Sequence, residues 1–217
     1  MISYNNAKKI IRLLIPPIIP YLYLKFIAKK NNSLFDGNDF LFKKTLEDIK
    51  VYGEYGCGIS SQWVLKNTNS KVISVDSSKE WIEKVKTESK NYLPRLTINH
   101  VDMGELGGWG RPISYIKCSN FIEYTDFIWK QSETPTLVLV DGRFRVCCFL
   151  TTLKFADPGT KIIFDDYVTR PHYHFIEKYV SRINECGRQC LFIVPSKSEI
   201  NMDTLNKDID AFRFVMD

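Results

Sequence analysis

The run Glu54-Tyr55-Gly56-Cys57-Gly58-Ile59-Ser60-Ser61 holds residue types that let a backbone turn tightly and approach a ligand closely. Ser60 or Ser61 can cap a helix that follows. Eighteen residues past Gly58 stands Asp76, a carboxylate suited to both hydroxyls of a ribose. Asp102 follows later, ahead of a glycine-rich stretch (Gly104, Gly107, Gly108, Gly110), and could accept the amino hydrogen of an adenine; Trp109 in that stretch could stack on a ring or anchor its loop. A nicotinamide dinucleotide site would carry a third glycine where Ser61 stands, completing G-x-G-x-x-G, and its absence weakens an oxidoreductase reading. The plain alternatives are an ordinary strand-to-helix turn at Gly56–Gly58 and a helix-capping role for Asp76, since Ser77 and Ser78 follow it.

A second group is Asp141, in Val140-Asp141-Gly142, with the pair Asp165-Asp166. Three carboxylates brought to one cleft repel each other unless they share a proton or a cation, and oxygen ligands of this kind suit Mg²⁺ or Ca²⁺. An equal alternative is that Asp165 or Asp166 caps a turn while Arg143, Arg145 or Arg170 neutralises the rest. If a hydroxyl is to be activated, the candidate bases are Asp141, Asp165, His172 and His174. His172 and His174 are two apart, so on a helix they face different ways and do not act as a pair. Arg143, Arg145, Arg170 and Tyr173 would suit an acidic or hydroxyl-rich acceptor, such as a sugar acid or a phosphorylated glycan; the alternative is charge balance against the aspartates.

These residues must be carried by elements that the hydrophobic pattern marks out. Apolar runs predict strands at 50–53, 71–75, 95–101, 136–140 and 161–164, the fourth almost wholly apolar as in the buried centre of a parallel sheet. Helices are predicted between them at 60–67, 78–91, 121–129 and 145–153, with another at 40–49 capped by Asp39 and a long one at 171–186 stopped by Gly187. Two final strands, 189–194 and 212–216, are joined only by a loop and so predict a hairpin. Alternating strands and helices imply a doubly wound, mostly parallel sheet with right-handed crossovers, closed by a C-terminal antiparallel pair. In such sheets ligands bind at the carboxyl ends of the strands, which is where Glu54–Ser61, Asp76, Asp102, Asp141 and Asp165 fall.

The set E-x-G-x-G at Glu54–Gly58, Asp76 after the next strand, Asp102 after the third and V-D-G at Val140–Gly142 after the fourth resembles the class I S-adenosylmethionine-dependent methyltransferases. The resemblance covers roughly residues 39–217. It implies a Rossmann-like α/β fold with a seven-stranded sheet. It also implies Glu54, Gly56 and Gly58 near the methionine moiety of S-adenosylmethionine, Asp76 at the ribose and Asp102 at the adenine end, with Ser60 a further cofactor-binding candidate. Some small-molecule O-methyltransferases of this class are similar in holding a divalent metal with an Asp after strand four and an Asp-Asn pair after strand five. The matching residues here are Asp141, Asp165 and Asp166, with Asp166 in place of the Asn. The activity expected is methylation, directed to oxygen, of a small-molecule or glycan acceptor, with Asp141, Asp165 and His172 as catalytic candidates. A non-catalytic binding module on the same fold and, less favoured, a nucleotide-dependent oxidoreductase are the competing readings.

Composition agrees with one domain and a short appendage. The chain has 217 residues with 44% hydrophobic, enough for a sizeable core. Net charge is +5, without a dense basic run or a recognisable nucleic-acid motif, so nucleic acid is not an expected partner. Six cysteines without a C-x-x-C, and only three histidines, argue against structural zinc and for free thiols of a reducing cytoplasm. Residues 1–38 form the expected appendage, an amphipathic N-terminal segment. Its stretch 10–27 is strongly apolar but holds Arg12, Lys25, Pro16, Pro17 and Pro20, so a spanning helix is not expected. No small-residue cleavage site follows it, so a secretory signal is not expected either. The alternatives are a helix packed on the domain or on a second subunit of a homodimer, and peripheral contact with a membrane face through residues 8–30.

Overall fold

The computed structural model describes residues 34–217; the readings made for the segment before residue 34, including membrane contact through residues 8–30, lie outside the described residues. Residues 34–39 hold a 3₁₀ turn, Phe35–Gly37, with the Leu34 amide donating to the Asp39 carboxylate at 3.0 Å. Phe40–Asp217 is a compact unit of its own.

That unit is built on a seven-stranded sheet: β1 (Val51–Tyr55), β2 (Lys71–Asp76), β3 (Leu96–His100), β4 (Leu137–Val140), β5 (Lys161–Phe164), β6 (Asn184–Cys186) and β7 (Gln189–Ile193), in the order β3-β2-β1-β4-β5-β7-β6. The first five strands are parallel, and β7 and β6 are antiparallel. This is the doubly wound sheet with a closing hairpin that the sequence predicts. β1 and β4 are buried along their whole length, as the central strands of a parallel sheet covered on both faces must be.

Helices α1 (Phe40–Thr45), α2 (Ile59–Asn67), α3 (Lys79–Glu88), α4 (Phe121–Asp126), α5 (Arg145–Phe155) and α6 (Met202–Phe212) complete the unit. The main core joins Val51, Tyr55, Val138, Val140 and Ile162 to Phe121 and Tyr124 of α4, Phe149 and Leu153 of α5, and Leu205 and Ile209 of α6. On the other face Tyr52 meets Phe42 of α1 edge-on at 5.9 Å, and Phe42 meets Trp63 of α2 at 6.2 Å. Residues of β1 alternate between the faces, so Glu54 shares the α2 side with Tyr52. Cys147 and Cys148 lie buried within α5, and all six cysteines are free thiols. Among the described residues no helix is long and apolar enough to cross a membrane.

Three predicted elements are corrected. The helix expected at 171–186 is a 3₁₀ turn, Pro171–Lys178, followed by β6. Gly187, read as a helix stop, has φ 59° and opens the two-residue connection between β6 and β7, a position where hairpins favour glycine. The segment 195–211, read as loop, contains most of α6, capped by the Asn201 side chain accepting from the Thr204 amide at 2.9 Å. Residues 212–216, read as the last strand, are instead the end of α6 and the turn after it. The hairpin exists, one strand earlier than expected.

Candidate cofactor and acceptor site

The parallel register sets the strand exits side by side. The Gly56 amide donates to the Val75 carbonyl (2.9 Å), Val101 to Asp76 (3.0 Å), Asp141 to Tyr55 (3.1 Å) and Asp165 to Val140 (3.0 Å). Asp102, Asp76, Gly56, Asp141 and Asp165 thus follow one another along the carboxyl edge.

The loop after β1 is held from both sides. The Asp76 carboxylate accepts from the Cys57 amide at 2.8 Å and from the Ser78 amide at 2.7 Å, so it points at the glycine loop rather than away from it. Burial raises its pKa, while those two amides and the Arg143 charge draw it back. Behind the loop, Glu54 is fully buried and accepts from the hydroxyls of both Ser60 and Ser61 in the first turn of α2. The serines therefore face Glu54. The Gly58 amide donates in turn to the Ser61 hydroxyl at 3.1 Å.

The two glycines do different work. Gly56 has φ +90°, and a Cβ there would lie 2.6 Å from the Gly142 Cα. A Cβ on Gly142 would meet the Tyr124 hydroxyl at 2.1 Å and the Gly56 nitrogen at 2.7 Å. These glycines let the exits of β1 and β4 touch backbone to backbone. Gly58 has φ 178° and ψ −140°, and a Cβ on it would meet nothing within 4 Å. The open space beside the loop is in front of Gly58.

Asp102 lies exposed at the far side. It accepts from the Gly104 amide at 2.9 Å and pairs with Lys117 at 3.5 Å, and that amide, ahead of the lysine, holds its pKa down. The loop that follows is tied to the end of β2 by the Ser77 hydroxyl donating to the Gly110 carbonyl at 2.8 Å. It presents Trp109 89% exposed, on left-handed backbone at φ 62°.

At the ends of β4 and β5 the three aspartates do converge: one carboxylate oxygen from each of Asp141, Asp165 and Asp166 lies within 4.8 Å of the others. They converge on arginines. Arg145, with 5% of its side chain exposed, donates to Asp141 Oδ1 (3.1 Å), Asp166 Oδ2 (3.4 Å) and the carbonyls of Asp165 (2.7 Å) and Gly142 (3.0 Å). Arg188 grips Asp165 through Nε (3.0 Å) and Nη2 (2.7 Å), and Arg170 reaches Asp166 at 2.7 Å. Three guanidiniums already supply the charge that a divalent ion would bring, and a cation among them would face their repulsion. The donor set as folded does not fit a resident Mg²⁺. The sequence left metal and arginine neutralisation level; Arg188, not among the residues weighed, is the partner it missed, since its place is set by the hairpin turn.

Burial, then the neighbouring Asp141 charge, pushes Asp165 up to about 8. Burial also raises Asp141, opposed by Arg145. Asp141 keeps 27% of its side chain exposed, whereas Asp165 is sealed beneath it. His172 is exposed, its ring 4.3 Å from Tyr173, and His174 is engaged by the Tyr167 carbonyl and Arg182. Neither histidine enters the carboxylate cluster.

Burial likewise pushes Glu54 to about 7 against the pull of the two serine hydroxyls. Between about pH 5 and pH 7, Glu54 and Asp165 hold protons in the fold that the unfolded chain, with ordinary carboxyl values of 4.5 and 3.8, has released. Their stabilising contribution is complete below about pH 4 and is lost as pH rises through 7 to 8. Glu54→Gln should therefore lose less stability than the unaltered chain between pH 5 and pH 8, by up to about 3 kcal/mol. Urea midpoints at the two pH values read this directly, and parallel slopes would contradict it.

No family model and no curated protein matches the chain. Solved structures do. A methyltransferase-like protein from Silicibacter pomeroyi is 29% identical with a TM-score of 0.67, covering 80% of this chain and 92% of that one. An O-methyltransferase from Bacillus cereus, solved with S-adenosylhomocysteine, is 16% identical with a TM-score of 0.50 over 86% of this chain and 96% of that one. The O-methyltransferase TomG from Streptomyces achromogenes, involved in tomaymycin synthesis and solved with S-adenosylmethionine, is 14% identical with a TM-score of 0.52 over 74% and 79%. By strand order, closing hairpin and these likenesses, the chain has the class I S-adenosylmethionine-dependent methyltransferase fold.

Proposed function

We propose that the chain is an S-adenosylmethionine-dependent methyltransferase acting on a hydroxyl of an acidic small-molecule or glycan acceptor. The observation that carries this is the crevice at the β1 exit: Asp76 bonded to the Cys57 amide, with clear space in front of Gly58. The cofactor brings an electrophilic methyl group on a sulfonium. The chain's task is alignment, which can contribute on the order of 7–11 kcal/mol at best. Asp76 has lone pairs left for ribose hydroxyls, and Asp102 stands at the adenine end. Glu54 acts from behind, fixing Ser60, Ser61 and the start of α2.

Of the carboxylates, Asp141 is the one open to the cleft and is the base for an acceptor hydroxyl. Asp165 touches it from below, so ionising either favours protonation of the other. Arg145 and Arg170 hold the aspartates in place, and Arg143 offers a guanidinium to an acidic acceptor. No step through a divalent ion is needed.

The two glycines give a test with opposite outcomes. Gly58→Val should cost little stability, because a Cβ there meets nothing within 4 Å, yet its methyl groups would reach into the crevice and weaken S-adenosylhomocysteine binding by about tenfold or more. Gly56→Ala should cost about 3 kcal/mol of stability, from positive φ and from backbone contact with Gly142. Calorimetric titration and urea midpoints report the two effects. Undiminished S-adenosylhomocysteine affinity in Gly58→Val would remove the crevice from consideration.

A further inference from the structure

Beyond α6, residues 213–217 turn back onto the carboxyl edge of the sheet. The Tyr115 hydroxyl donates to the Phe214 carbonyl at 3.1 Å, and the Phe214 ring lies 6.4 Å from Phe121. Arg143 Nη1 donates to the Asp217 main-chain oxygen at 2.6 Å, and the Arg145 amide donates to Asp217 Oδ1 at 3.1 Å. The segment thus bridges the loop after β3, α4 and the loop after β4.

Its polar end sits where an anion is favoured. The Arg145 amide opens an eleven-residue helix, whose free amino-terminal N–H groups attract negative charge, and the Arg143 guanidinium stands beside it. Both donors follow directly on Gly142, whose backbone packs on Gly56. Asp217 is therefore next to the crevice. Phe144, between the two arginines, is buried on left-handed backbone (φ 54°), which turns the chain sharply from Gly142 into α5. The segment itself is lightly held: Phe214 is 47% and Val215 44% exposed, while Met216 packs against the main core. Polar contacts to the two arginines, more than burial, keep it down.

We infer that residues 213–217 are a displaceable strap, with the Asp217 main-chain oxygen holding Arg143 and its side-chain carboxylate holding the first amide of α5 until an anionic group of a substrate takes their place. The inference rests on reading the crevice as a methyl-transfer site. The displacing group is a carboxylate or phosphate, and it has two sources: an acidic acceptor, or the methionine end of the cofactor.

The test is calorimetry on the full chain and on Asp217→Ala with three probes: inorganic phosphate, S-adenosylhomocysteine, and 5′-methylthioadenosine, which lacks the amino-acid end. Asp217→Ala should bind phosphate or S-adenosylhomocysteine about tenfold tighter, the effect of freeing one charge-assisted contact. Adding Arg143→Gln should remove the gain. A gain for phosphate alone assigns the strap to the acceptor; a gain for S-adenosylhomocysteine but not methylthioadenosine assigns it to the cofactor's carboxylate. No gain for either anion, or a gain that survives Arg143→Gln, overturns the strap. If the unaltered chain binds neither adenosyl probe while the phosphate gain persists, the strap stands and the methyltransferase reading falls.

Discussion

Arg145→Met is expected to lose about 3–5 kcal/mol of stability at pH 7, the cost of removing one partner from a buried ionic network. The side chain fits the space, but Asp141 and Asp166 lose a shared guanidinium, and the carbonyls of Gly142 and Asp165 lose their donor. Arg145→Lys should recover only part, because an ammonium cannot reach acceptors spread around a planar fork. The loss should shrink toward pH 5, where the raised Asp141 is more protonated and needs less compensation. Urea unfolding at pH 5 and pH 7 measures both statements. A variant within 1 kcal/mol of the unaltered chain at pH 7 would show that Arg170 and Arg188 suffice, and the central place given to Arg145 would be wrong.

Asp76→Ala is expected to weaken S-adenosylhomocysteine by about 100-fold or more, since charge-assisted bonds to a ribose are lost along with the clamp on the Cys57 amide. Asp76→Asn separates the two roles. It keeps one acceptor oxygen for a backbone amide, so the loop stays placed, but it cannot receive both hydroxyls and hold both amides at once. An intermediate affinity is the expected result, with a stability loss of about 1–3 kcal/mol from the one backbone amide left facing an NH2 group. Full affinity in Asp76→Ala would mean that the adenosyl group is bound elsewhere.

The strands could be read from the sequence because each is a short apolar run flanked by turn residues, and their order follows from alternation with helices. The β1 exit was legible because glycine pairs and spaced aspartates have few other uses in that arrangement. The mistakes have local causes. Placing the end of β1 at Gly53 left Glu54 in the loop, whereas it belongs to the strand and faces α2. The spacing of Leu205, Ile209 and Phe212 carries the helical period of α6, with Asn201 as its cap, and that signal was present. The stretch 171–186 has no such period, only a proline start and a glycine end, which a hairpin shares with a helix. The arginine partners of the aspartates were beyond reach in part because Arg188 arrives from the β6–β7 turn, a contact fixed by tertiary structure alone.

The backbone contact between Gly56 and Gly142 has a bearing on motion. On the proposed reading, it joins the seat of the methyl donor to the stretch that carries Asp141 and Arg143 through direct main-chain contact. Donor and acceptor would accordingly be received on segments in main-chain contact, and their separation would be set when the chain folds rather than when they arrive.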